Sequence, residues 1–246
     1  MAINLDKMRQ KLDALNTKGG EKRNFFWKPQ DGEQTLRIAP DADGDPFKEF
    51  WFHYGVADEP GFLCPKKNHG DDCPVCDFVS QLYSTRDEED RKVANQLRAK
   101  QRFFSPVVVR SEEKEGVRLW GYSKTVYENL LNLVLNPDYG DITDPEDGTD
   151  LVISYGKKAG QMFPSTDIQP RRRSSALADD SSKAREWMDT EIPYDSLFVT
   201  KTTEEVEEIF RKHREGVSNE EKEEVTAFKA TTSDEVGNAF NELLAS

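Results

Sequence analysis

The 246-residue chain is 35% hydrophobic and 33% charged, with 47 acidic against 34 basic side chains and a formal net charge of −13. This length holds one ordinary domain or one core with appendages, and apolar content so close to charged content leaves part of the chain solvated. No apolar run approaches a membrane span, the N-terminus has no signal-peptide hydrophobic stretch, and cysteine usage without an export signal predicts a cytoplasmic protein.

The acidity is uneven. From Glu186 onward there are 16 acidic and 6 basic residues, whereas residues 91–124 hold 9 basic and 3 acidic ones and residues 1–37 hold 8 and 5. Such asymmetry suggests a basic working surface joined to an acidic tail, so the overall charge is a poor guide to the partner.

Along the chain, Leu5, Met8, Leu12 and Leu15 recur at helical spacing with Lys7, Arg9 and Lys11 off the apolar stripe, which predicts an amphipathic helix over 3–16. Thr17-Lys18-Gly19-Gly20 ends it as a hinge. A helix so tethered either packs on the surface or docks as an arm on a partner or a second copy. From 24 to about 200 the β-branched and aromatic runs at 25–27, 34–38, 50–54, 103–109, 117–122 and 151–155 read as strands. Helical patterns fall at 76–83, 88–100 and 125–134. The expected class is mainly β with helices (α+β): a small barrel carrying a zinc-binding subdomain rather than a βαβ sheet. Beyond Tyr194 the chain becomes charged, with a helix starting at Thr203 and two more at 220–228 and 233–244. Their few apolar residues make no independent core, so this region reads as an acidic appendage.

All three cysteines lie between Cys64 and Cys76, and His53 precedes them: His53-x10-Cys64-x8-Cys73-x2-Cys76. A C-x-x-C turn sets two thiolates on one side of a loop, and a third thiolate with an imidazole completes the tetrahedral N/S shell of structural zinc. Soft thiolates exclude magnesium and calcium, and the imidazole favours zinc over an iron cluster. A disulfide would leave one odd cysteine in a chain without an export signal. A redox C-x-x-C wants a βαβ setting, but these flanks are Gly-, Asp- and Lys-rich. Three unrelated buried thiols give no reason for the clustering. His69 is a second candidate for the fourth ligand. It sits in the sharply turning loop Asn68-His69-Gly70-Asp71-Asp72, whereas His53 sits in a strand-like run that would hold a ligand rigidly.

Four protein ligands close the coordination shell, while catalytic zinc keeps a position open for water. The base-deaminase order of H-x-E before P-C-x-x-C is absent, since the only H-x-E, His213-Arg214-Glu215, follows every cysteine. Nor is there an H-E-x-x-H, a P-loop or a G-x-S-x-G. The expected protein is no enzyme, and its metal is one structural Zn2+.

Cations and aromatics interleave three times. Lys100 and Arg102 precede Phe103 and Phe104; Arg118, Trp120 and Tyr122 share one face of an alternating run; Lys157, Lys158 and Phe163 lie ahead of Arg171, Arg172 and Arg173. A single strand of nucleic acid needs both components, cations for its phosphates and aromatic faces for its unpaired bases. One aromatic alone is more commonly core and one Arg run a solvated loop, but three such clusters beside a zinc motif point to nucleic acid.

These residues resemble a known family. The histidine-cysteine spacing, with Asn68-His69-Gly70-Asp71 inside it, is similar to the zinc module of the T-even-type bacteriophage single-stranded DNA-binding (helix-destabilising) proteins. Leu36-Arg37-Ile38-Ala39-Pro40 and Leu82-Tyr83-Ser84-Thr85 resemble flanking stretches, and Phe103-Phe104 stands where the family has a Tyr-Trp pair. The resemblance implies an OB-fold with an inserted zinc subdomain at about 50–100, single-stranded DNA in the cleft between them, and His53, Cys64, Cys73 and Cys76 as ligands. Tyr83, Phe103, Phe104 and Trp120 would face DNA, with Lys100 and Arg102 beside its backbone. It further implies an N-terminal arm (1–20) for self-association along DNA, a core at 21–200, and an acidic segment (201–246) for phage replication and recombination proteins. The setting would be the cytoplasm of an infected bacterium. Two departures stand out: the chain lacks the family's very basic N-terminal tip, and its tail looks partly helical rather than Ser- and Asp-rich. The competing reading is an acidic protein–protein adaptor with a structural zinc module.

Overall fold

The computed structural model describes residues 25–216 except 42 and 162. The helices expected at 3–16, 220–228 and 233–244, and the hinge at 17–20, lie outside the described residues. The fold is mixed α+β, with strands β1 (Phe26–Trp27), β2 (Gly32–Ile38), β3 (Lys48–His53), β4 (Phe62–Leu63), β5 (Lys100–Val109), β6 (Arg118–Tyr122), β7 (Gly148–Gly156) and β8 (Ser165–Ser175). The helices are α1 (Pro65–Asn68), α2 (Pro74–Thr85), α3 (Glu88–Leu97), α4 (Lys124–Val134), α5 (Ser181–Met188), α6 (Tyr194–Leu197) and α7 over residues 203–216. The chain forms two compact units: the first runs up to Lys48 and resumes over Phe103–Ile192, and the second comprises Glu49–Arg102 and the residues from Pro193 onward.

In the first unit the strand order is β1-β6-β5-β2-β7-β8. The β1–β6 pair is parallel and the other pairs along that path are antiparallel. Alternation decides the core. Phe103 lies opposite Tyr122, Ser105 opposite Trp120 and Val107 opposite Arg118, so Phe103, Val107, Trp120 and Tyr122 project to one face. That face meets Leu36, Ile38, Leu151 and Ile153 from the central strands and Val126 and Leu130 from α4. Rings fill its middle: Trp27 packs edge-on to Trp120 at 5.9 Å, and Phe103 stacks on Tyr127 at 4.0 Å. On the other face Phe104 lies opposite Gly121, where an added Cβ would fall 2.8 Å from the ring. Glycine is needed there because the ring occupies the space a side chain would take.

Arg37 is fully buried. Its Nε donates to Asp150 at 2.9 Å, and its other nitrogens reach the carbonyls of Asp144, Gly148 and Ser175. Asp150 also accepts from Arg110 Nε (3.0 Å) and Nη2 (2.8 Å), while Arg110 donates to the carbonyls of Ala176 and Leu177. One carboxylate thus joins two guanidinium groups and fastens the end of β8 to β2 and β5.

The second unit is built on the β3–β4 hairpin, in which His53 lies opposite Phe62, with α1, α2 and α3 beside it. Its core holds Val56, Phe62, Val75, Val79, Ala94 and Leu97. Val206, Ile209 and Phe210 of α7 join that core, and Phe210 meets Phe78 at 5.0 Å. Their spacing puts them on one helical face. The region read as an acidic appendage from 201 therefore departs from that expectation through 216. Too few apolar residues for a core of its own are enough to complete this one.

Candidate metal centre and nucleic-acid surfaces

Two local motifs deliver the four candidate ligands. His53 ends β3. Cys64 caps α1, its sulfur accepting the backbone N–H of Lys67 at 3.4 Å. Cys73 is the N-cap of α2, Pro74 begins the helix, and Cys76 lies in its first turn. Thiolates there are favoured by the positive end of the helix dipole. Asn68 holds the two ligand-bearing segments together: its Nδ2 donates to the carbonyls of Trp51 (2.7 Å) and Cys64 (2.9 Å), and its Oδ1 accepts Trp51 N–H.

The ligand atoms of His53, Cys64, Cys73 and Cys76 all lie within 4.8 Å of one another. Cys64 and Cys76 sulfurs are 3.5 Å apart, and His53 Nε2 is 3.4 Å from Cys73 Sγ and 3.5 Å from Cys76 Sγ. A tetrahedron with Zn–S of about 2.3 Å and Zn–N of about 2.0 Å has edges of about 3.5–3.8 Å, so the cluster fits zinc. His53 Nδ1 lies 2.9 Å from the carbonyl of Leu97. A carbonyl only accepts, so Nδ1 carries a hydrogen, and Nε2 is the nitrogen turned to the sulfurs, the one whose lone pair a metal would take. His69 is exposed at the end of α1 and takes no part in the cluster.

Electrostatics agree with a cation at this point. Burial opposes charge on His53, yet hydrogen bonds to the Cys64 and Cys73 sulfurs outweigh it and lift the imidazole to about 9. Hydrogen bonds from Cys64 and Cys76 hold the Cys73 thiol far below its ordinary value, and bonds to Cys64 and Cys73 push the Cys76 thiol up. A divalent metal would take the place of the protons that the sulfurs and the imidazole otherwise share, with all four groups as ligands.

The nucleic-acid residues expected from sequence fall into two classes. Phe103, Phe104, Trp120 and Tyr122 are all buried, at 7% exposure or less. The alternation placing Trp120 and Tyr122 on one face is present, but that face is covered by α4 and the neighbouring strands, so these rings pack instead of offering stacking surfaces. Arg118 pairs with Glu112 with only 13% of its side chain exposed, and Lys158 pairs with Asp167. Tyr83 and Phe163 are exposed, at 40% and 74%, and Tyr83 donates its hydroxyl to Asn95. Phe163 lies in the connection between β7 and β8, together with Lys157.

Arg171, Arg172 and Arg173 lie in β8 rather than in a loop. They are exposed and have no carboxylate partner among the described residues; Arg171 donates to Thr35 Oγ1 at 3.1 Å. Lys100 and Arg102, in the second unit, also have no ion-pair partner among the described residues. Sequence reasoning missed Tyr54, whose ring lies under the Arg102 guanidinium at 5.9 Å. The signal was present in Phe50-Trp51-Phe52-His53-Tyr54, which reads simply as a strand because no local pattern shows that Arg102 arrives beside it.

No curated protein matches the chain. Residues 30–228 match the sequence family described as gp32 DNA binding protein like, and with most of its 246 residues covered the chain belongs to that family, as a gp32-type single-stranded DNA-binding protein.

Proposed function

We propose that the protein coats single-stranded DNA cooperatively and without sequence preference during bacteriophage DNA replication, recombination and repair, in the cytoplasm of the infected host. Family membership carries this reading. The distribution of unpaired cations supports it. In a chain of net charge −13, Lys100 and Arg102 of one unit and Lys157, Arg171, Arg172 and Arg173 of the other are left without carboxylate partners among the described residues. Such cations meet phosphates, and stacking on an exposed ring such as Phe163 accepts every base.

The first unit is assigned as the OB-fold of this family, with the sheet of β1, β6, β5, β2, β7 and β8 as its strands. The ssDNA-contacting set becomes Tyr83, Lys100, Arg102, Lys157, Phe163 and Arg171–Arg173, while Phe103, Phe104, Trp120 and Tyr122 form the scaffold. A single zinc ion held by His53, Cys64, Cys73 and Cys76 supplies structural rigidity and no chemistry, because protein ligands fill its shell. Residues 1–20 are assigned to contact between neighbouring copies. The acidic segment is assigned to replication and recombination proteins, through the part that follows α7.

Fluorescence anisotropy of labelled oligo(dT), titrated at several salt concentrations and repeated with duplex, tests the reading. Saturable binding that weakens steeply with salt, with duplex bound far less well, is expected. Equal affinity for duplex, or no binding of oligo(dT) at low salt, would overturn it.

A further inference from the structure

Arg102 stands apart from the other half-buried arginines of the described chain. Arg110 and Arg118 spend their guanidinium groups on carboxylates. Arg102, also half-buried, has no carboxylate or hydrogen-bond acceptor for its side chain among the described residues and rests on the ring of Tyr54, 5.9 Å from the centroid. A cation over an aromatic face is held in orientation without using its N–H groups, so the edge of the fork stays free.

The support under Arg102 is built in. Tyr54 stacks on Phe52 with centroids 5.8 Å apart and planes 25° apart. Gly61 closes on its edge: a Cβ at Gly61 would fall 2.8 Å from Tyr54 Cδ1, and the backbone there has φ of +157°. Both partners of the stack are also tied to the metal centre. Tyr54 directly follows His53, and the His53 imidazole binds the carbonyl of Leu97, at the end of the helix that leads to Arg102. One imidazole therefore links the end of the strand that the ring directly follows to the segment that carries the cation.

From this geometry we propose that Tyr54 and Arg102 form a phosphate clamp for single-stranded DNA in the zinc unit. Tyr54 is the positioning residue, and Arg102 offers its fork to two oxygens of one backbone phosphate. The clamp rests on the single-strand-binding function proposed above. A fork set in a plane before the ligand arrives loses less freedom on binding than a free side chain does.

The test uses the full-length, zinc-loaded protein and fluorescein-labelled oligo(dT). Arg102→Ala is expected to lower the slope of log affinity against log salt by about 0.7, the value for one phosphate of a single strand. Arg102→Lys keeps the charge and the slope but loses the fork, and is expected to bind about three- to tenfold more weakly. Tyr54→Leu is expected to weaken binding about two- to fivefold at unchanged slope, the strength of a half-exposed cation–π contact, whereas Tyr54→Phe binds as the parent does. Metal content and melting temperature are followed in parallel. Should Tyr54→Leu lose metal, the two Arg102 variants decide alone. If oligo(dT) binds the parent and the Arg102→Ala slope is unchanged, or if Arg102→Lys binds as the parent does, the clamp is refuted while the function stands. If the parent fails to bind oligo(dT), the function falls and the clamp with it.

Discussion

Replacing Asp150 by Asn would test the central ion network. The side chain is 10% exposed and accepts three hydrogen bonds, one from Arg37 Nε and two from Arg110. Among the described residues Arg37 has no other carboxylate at hydrogen-bonding distance, because its remaining acceptors there are carbonyl oxygens and the Ser175 hydroxyl. Burial draws the Arg37 guanidinium below its ordinary value, with attraction from Asp150 as the main opposing influence. An amide preserves shape and one acceptor but removes the charge, leaving a fully buried cation uncompensated. Breaking a buried pair in this way costs about 3–5 kcal/mol, a large part of a total stability of about 5–15 kcal/mol. For a chain of this size that corresponds to a fall in melting temperature of roughly 6–20 °C. Urea unfolding and calorimetry measure it. The same network anchors Ser175, Ala176 and Leu177, directly after the arginines of β8, so amide exchange in β8 should accelerate as well. A loss below about 1 kcal/mol, or β8 exchange as slow as in the parent, would show that carbonyl contacts alone hold Arg37 and that the carboxylate is dispensable.

Changing Arg171, Arg172 and Arg173 together to Ala should lower the salt slope of oligo(dT) binding by about 2 with little effect on melting, since the three side chains are exposed; an unchanged slope would remove β8 from the DNA surface. Phe163→Ala should leave stability alone and weaken binding, by about 1–3 kcal/mol if one base stacks there. Phe103→Ala should instead cost about 3–5 kcal/mol of stability, and a Phe103 variant with parent-like melting but lost DNA binding would contradict its place in the core. Chelating the metal should abolish amide protection in residues 203–216, because Val206, Ile209 and Phe210 pack in the same core as Cys64 and Cys73. Persistent protection after metal removal would show that this helix docks independently. Metal affinity should fall with decreasing pH, as protons compete for three sulfurs and an imidazole; competition against a chelator across a pH series measures it.

The metal centre was legible in the sequence because coordination restricts ligand type and spacing. The strand alternation around Trp120 was legible too, since a two-residue period survives translation into sequence. What covers each face was not. A strand pattern separates Trp120 and Tyr122 from Leu119 and Gly121, but only tertiary packing reveals that both sides are covered, and so four rings expected at DNA sit in the interior. Strand β8 escaped notice because Ile168-Gln169-Pro170-Arg171-Arg172-Arg173 has no apolar alternation. At the end of the strand order it pairs on one side with β7 alone, and its exposed side chains are free to be polar. The spent cations were hidden for a similar reason: Lys158 finds Asp167 across the β7–β8 connection, and Arg37 finds Asp150 from 113 residues away. The role of α7 was obscured by its composition, as its three buried residues are diluted among Glu204, Glu205, Glu207 and Glu208.

That helix fixes where the chain can be shortened. A truncation at Thr200, intended to strip acidic charge, would also remove Val206, Ile209 and Phe210 and lay bare the apolar surface around Val75, Phe78 and Val79. The product would be prone to aggregate, and its altered affinity for any polyanion would report exposed core rather than lost charge. A stop has to fall beyond Phe210 to keep that core closed, and shortened proteins compared on either side of Phe210 differ in exposed apolar surface as well as in charge.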